Sequence, residues 1–178
     1  MKRNTKELTF MALMASALLV GGYMLYILSK TIPLPGSKFL VMAPYLSLVM
    51  YLSLKHTRRT WTMTIISTVF GIVISIFSLF MGIAIIAAGI FSDLTGLLIP
   101  NHYTTERSIK IASSSYAFWS FAVSLFITDF VTGNILYGVF GPITFILMGV
   151  LIFSLGYLGT LFGGITSLRI KKGGEVRD

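Results

Sequence analysis

The chain has 178 residues, enough for one domain of ordinary size, yet only 11% of them are charged and 55% are hydrophobic. A soluble domain carries about a quarter charged residues, and the mean hydropathy is +0.87, so composition argues against a soluble enzyme and against a free nucleic-acid-binding protein. The net charge of +8 comes from 14 Lys plus Arg against 6 Asp plus Glu, and the chain has no cysteine, which removes disulfides, thiolate nucleophiles and Cys-ligated metal centres from consideration.

A bilayer core about 30 Å thick requires roughly 20 apolar residues per helix. Leu8–Ser29 is the first charge-free run, and Phe39–Leu54 is a shorter second. Thr60–Ser92 is too long for one helix and runs on past Asp93 to Ile99; folding it back near Ser78–Gly82 gives a third and a fourth span. Ile111–Thr128 is the fifth. The sixth starts at Pro142, since a proline at a first helical position loses no hydrogen bond. The expectation is an all-α integral membrane protein, a single six-helix domain over residues 1–178, with transmembrane helices at about 8–28, 38–54, 61–79, 82–99, 109–131 and 142–168. The first run follows a basic start, as in a secretion signal. It is longer than the 7–15 residues of a signal core and is followed by no A-x-A site, so it reads as an uncleaved helix.

Six spans leave both termini on one side. Lys2, Arg3, Lys6, Lys55, Arg58, Arg59, Arg107, Lys110, Arg169, Lys171, Lys172 and Arg177 then share one face, and only Lys30 and Lys38 lie on the other. The positive-inside rule makes the crowded face cytoplasmic, an N-in/C-in arrangement.

Catalytic signatures are missing from the sequence. His56 and His102 fall in expected cytoplasmic loops; Glu106, four residues after His102, is the one acid or histidine three or four residues on from either, too few ligands in sequence, so no metal site is expected. There is no H-E-x-x-H, no G-x-S-x-G and no phosphate-binding G-x-x-x-x-G-K-[ST]. Asp93 and Asp129 lie toward opposite faces and do not form an acid/base pair. The chain is expected not to be an enzyme and to need no cofactor; active transport would draw on an ion gradient or on another protein.

Small residues recur at helix-contact spacing: Ala12 and Ser16, Ala17 and Gly21, Ala84 and Ala88, Gly159 and Gly163. In lipid such faces let backbones approach and gain dispersion. Each serves either internal packing or docking of another membrane subunit, and Ala12 with Ser16, near the cytoplasmic end, is the best docking candidate. The first outer loop, Ser29–Lys38, has Pro35-Gly36 at the centre of a type II turn and is either a connector or a stiff lid. Tyr23 and Tyr26 share a helix face. With Lys38, Tyr45, Asp129, Asn134 and Tyr137 they form an outer set suited to a small polar ligand, although interfacial anchoring explains most membrane tyrosines. Trp119 lies too deep for an anchor and either floors a pocket or fills the core. Asp93, about two turns inside the fourth helix at 1.5 Å per residue, is costly in lipid; it is expected to pair with Arg58, Arg59 or Arg107, in a structural or docking role before a proton-coupling one.

These features resemble the substrate-binding S component of an energy-coupling factor (ECF) transporter. The resemblance rests on the entry Lys6-Glu-Leu-Thr-Phe10, the Ala/Ser cluster at 12–17, the stiff loop before a short second helix and the segment Gly89-Ile-Phe-Ser-Asp93-Leu-Thr-Gly-Leu-Leu98. A basic loop and Ser115-Tyr-Ala-Phe-Trp119 follow, similar to the MptD-type branch. The resemblance implies a bacterial plasma-membrane binding subunit with six helices. It would capture a vitamin-like small molecule from outside and dock through its first helix onto a transmembrane coupling subunit driven by two ATPase subunits. The family's A-x-x-x-A maps onto Ala12 and Ser16, with Ser in place of the second Ala; no substrate carries over. The alternatives are a self-sufficient proton-coupled transporter using Asp93, a membrane-embedded enzyme, and a structural or regulatory subunit without a small ligand.

Overall fold

The structure is a computed structural model describing residues 5–31, 36–100, 103–132 and 141–174, with 132 and 168–174 described by backbone alone. Among the described residues it is all-helical: α1 Thr5–Ser29, α2 Ser37–Thr57, α3 Thr62–Ser75, α4 Leu79–Leu98, α5 Glu106–Thr132 and α6 Pro142–Gly174. Five of the six are long and apolar enough to cross a membrane, which suggests a multi-pass membrane protein. The exception is α3, whose 14 residues extend about 21 Å at 1.5 Å per residue.

The turns explain the boundaries. Gly36, with φ 84° and ψ −3°, has the dihedrals of the third residue of a type II turn and leads into α2; its expected partner Pro35 lies outside the described residues. The turn between α3 and α4 comes earlier than the expected fold-back at 78–82. Ser75 Oγ bonds the Gly71 carbonyl at 2.7 Å, and Ser78 turns extended at φ −156°. Its hydroxyl accepts from the Met81 N–H at 3.4 Å and caps α4. Ser78 therefore starts a helix inside an apolar run that hydropathy alone reads as continuous.

Helices α2 and α5 form the centre. Residues 112–117 of α5 are buried all the way round, because α4, α2 and α6 pack on successive sides of it. A helix buried on every side needs no amphipathic stripe. Met50, Tyr51 and Leu54 of α2 and Ile109 and Tyr116 of α5 join one core with Met11, Leu18, Met63 and Ile66; Ala43, Ala117, Phe121 and Ile152 form a second. Helix α1 leans on α2 and α3 at the edge.

Glycines set how closely these helices approach. A Cβ at Gly159 would lie 2.1 Å from the Pro44 carbonyl oxygen, so α6 rests directly on the backbone of α2. Gly82, Gly89 and Gly96 recur every seven residues along α4. Added Cβ atoms there would meet the Gly71 carbonyl oxygen at 2.7 Å, the Ser67 side chain at 2.5 Å and the Tyr103 hydroxyl at 2.2 Å, respectively. This heptad stripe, which the Ala84–Ala88 spacing only hints at, is the seam along which α3 and the α4–α5 loop press on α4.

Candidate functional site

Polar side chains gather at the end of the bundle where α2 finishes and α5 begins. The Lys55 ammonium donates to Glu106 Oε1 at 2.7 Å, Ser167 Oγ at 2.9 Å and the Tyr51 hydroxyl at 3.2 Å, joining α2, α5 and α6. Arg59 pairs with Glu7 at 3.3 Å and ties α1 to the α2–α3 turn. That turn is tight enough to hold Arg58 and Trp61 at positive φ, 49° and 64°, where a side chain is strained. His56, expected in a loop, lies in the last turn of α2 and packs tilted against Phe10 with ring centroids 4.2 Å apart. These contacts bring the residues at 7, 55, 59, 106 and 167 to one end, as the antiparallel order of six helices requires.

Asp93 is fully buried. Its Oδ2 accepts the Thr64 N–H and the Thr64 hydroxyl, both at 2.7 Å, and Oδ1 accepts the Tyr103 hydroxyl at 3.0 Å. Thr64 stands in the first turn of α3, and Trp61, at its N-cap position, makes no side-chain cap bond. Asp93 thus caps α3 from a neighbouring helix, placing negative charge at the positive end of the helix dipole. The expected pairing with a loop arginine is replaced at these three contacts by a backbone amide and two hydroxyls. Burial first, and the Asp93 carboxylate second, push the Tyr103 phenol far above its ordinary pKa, so it stays a donor.

A second polar column runs between α3, α4 and α5. Ser92 Oγ lies 3.1 Å from Ser115 Oγ and donates to the Ala112 carbonyl at 3.3 Å, and Ser67 Oγ donates to the Tyr116 hydroxyl at 3.1 Å. The run Ser113-Ser114-Ser115 within an apolar helix was the sequence signal for it. Trp119 donates its Nε1–H to Thr95 Oγ1 at 2.7 Å and stacks on Phe91 with centroids 4.9 Å apart. Its polar edge is committed to holding α5 against α4.

The outer set is dispersed by comparison. Tyr23 is 66% exposed and Tyr26 36% exposed, both on α1. Lys38 is exposed at the start of α2, its ammonium 5.0 Å from the Phe39 ring centroid. Tyr45 is partly buried, and its hydroxyl donates to the Ala17 carbonyl at 2.5 Å. A Cβ at Gly21 would lie 2.2 Å from that hydroxyl, so Ala17 and Gly21 make the slot that Tyr45 fills. Asp129 is half-buried near the end of α5. Asn134 and Tyr137 lie outside the described residues, as does His102. The tyrosines of α1 are separated from Trp119 and Asp129 by α2, which packs against both α1 and α5.

The remaining small pairs divide cleanly. Ala84 and Ala88 are buried, and Gly159 and Gly163 meet Pro44 and Tyr51. These, like Ala17 and Gly21, are internal packing. Ala12 and Ser16 are exposed, on the side of α1 opposite Met11, Ala15, Leu18 and Gly22, with the Ser16 hydroxyl turned back onto the Ala12 carbonyl at 3.0 Å. Among the described residues no group of three or more His, Cys, Asp or Glu side chains could hold a metal ion. The sequence matches no protein-family model, and it has no match among curated proteins or solved structures.

Proposed function

We propose that the protein is a substrate-binding S component of an ECF-type importer, crossing a bacterial plasma membrane six times with both termini in the cytoplasm. In this reading it binds a vitamin-like small molecule at its outer end and has no catalytic activity of its own. The observation that carries the reading is the division of small residues on α1. Ala17 and Gly21 are consumed by Tyr45, whereas Ala12 and Ser16 face outward near the basic end, where their small side chains let the helix of a second membrane subunit approach. The short α3 crosses with help from snorkelling flanks and local thinning of the bilayer, each at modest cost. The energy comes from partner ATPases, and Asp93 serves as the fixed cap of α3 rather than as a proton carrier.

Copurification from native membranes tests assembly. A coupling subunit and two ATPases should accompany the wild-type chain, while Ala12→Leu and Ser16→Leu should lose them and keep any bound small molecule. Loss of the ligand with the partners retained would reverse the assignment. Orientation is tested directly because the chain lacks cysteine: Lys38→Cys and Arg58→Cys should label from opposite sides of the membrane, and labelling from the same side would overturn the topology.

A further inference from the structure

A groove of about 540 Å³ runs between α5 and α6, lined by Arg107, Ile111, Phe153, Ser154, Tyr157 and Leu158. That volume is within the range of small-ligand sites, about 300–1,000 Å³, yet the groove opens sideways on the flank of the bundle. Its two ends differ. Arg107 is the second residue of α5 and stands at the basic end beside Glu106. Ile111 is one turn farther in. Along α6, Ser167 touches Lys55 at the basic end; Tyr157 lies about 15 Å and Phe153 about 21 Å deeper at 1.5 Å per residue. A cation thus heads a trough whose far part is mostly apolar, with Ser154 and Tyr157 beside Phe153 and Leu158, and reaches about mid-depth of a 30 Å hydrocarbon layer.

The cation is available. Glu106, its chain neighbour, is held by Lys55 at 2.7 Å, and Arg107 has no hydrogen-bond or ion-pair partner among the described residues. Lys110, one turn away, adds to the positive field: a Cβ on Gly164 of α6 would lie 3.9 Å from its ammonium. We infer that this groove binds one anionic phospholipid of the leaflet facing the basic end, its phosphate on Arg107 and an acyl chain along Ile111, Phe153 and Leu158. Basic pockets between membrane helices on that side suit anionic headgroups, and the apolar trough distinguishes a lipid from a free phosphate. The inference requires membrane embedding but not the importer reading.

Native mass spectrometry of the detergent-purified chain, titrated with phosphatidylglycerol and with phosphatidylcholine of the same acyl chains, tests it. The wild type should retain one phosphatidylglycerol in preference to phosphatidylcholine. Arg107→Gln should weaken phosphatidylglycerol binding about fivefold, the scale of one basic side chain at an anionic surface, and Arg107→Lys should restore most of it. Ser154→Trp, which fills the trough from an exposed position, should weaken both lipids. An unchanged thermal midpoint in detergent shows that each variant is folded. Equal binding of the two lipids, no effect of Arg107→Gln, displacement of phosphatidylglycerol by millimolar inorganic phosphate, or a dimer that covers the groove and carries no lipid would each overturn the inference.

Discussion

The two ends of the bundle solve different problems. At the basic end, Lys55 joins three helices, Arg59 reaches Glu7, and Asp93 draws together α3, α4 and the loop at Tyr103. At the other end Tyr23 and Tyr26 are exposed, Lys38 lies against its neighbour Phe39, and Ile76 and Phe77 are 80% and 84% exposed in the α3–α4 turn. Polar groups at the first end hold one another in place, whereas Tyr23, Tyr26 and Lys38 at the second are exposed. Under the function proposed above, the fixed end would dock and the open end would admit a ligand.

Substitutions can break this contrast, beginning with packing that serves both ends. Gly159→Leu places its Cβ against the Pro44 carbonyl and must separate α6 from α2. Overpacking of this kind costs about 1–3 kcal/mol, more where backbone cannot yield, so most of the folded yield in detergent should be lost, as read by size-exclusion chromatography. Asp93→Ala should follow at about 3 kcal/mol, because it leaves buried donors on Thr64 and Tyr103 without their acceptor. Asp93→Asn keeps one oxygen acceptor and should lose less. Thermal unfolding measures both, and gradient-driven uptake abolished by Asp93→Asn with stability intact would favour a proton-coupled transporter instead.

Lys55→Met should cost about 1 kcal/mol or less, since its pair with Glu106 is partly solvent-exposed. Tyr23→Ala should change stability by less than about 0.5 kcal/mol; a clear loss of ligand retention with the melting temperature unchanged would identify the open end as the binding end. The smallest effect is set by pH. The Tyr103 phenol has a raised pKa when folded, so the stability it contributes is complete below its unfolded pKa of about 10 and falls as pH rises above that value. Tyr103→Phe should flatten the alkaline limb of the melting temperature against pH.

Much of the helical layout was legible because lipid imposes simple rules: long apolar runs, charges at their ends, proline at a helix start. Pro142 opens α6, and Gly36 takes the left-handed turn conformation before α2, as their types require. The α3–α4 turn was misplaced because no charge marks it; a serine cap and a glycine contact do, and both are weak signals in an apolar stretch. The candidate site was less legible. In the sequence Tyr45 reads as a candidate ligand contact, Trp119 as a pocket floor or core filler, and Asp93 as the partner of a loop arginine. Their partners, the Ala17 carbonyl, Thr95 and Thr64, lie 24–29 residues away and depend on which helices are neighbours.

Sequence by itself determined that the chain is all-helical and apolar enough to cross a membrane several times, since hydropathy and charge act residue by residue. Only the tertiary structure decided which small faces are used up inside the bundle, that Asp93 caps α3, and that Arg107 heads a groove beside α6. Those outcomes depend on the rotation and approach of whole helices, set by packing among residues far apart in the chain.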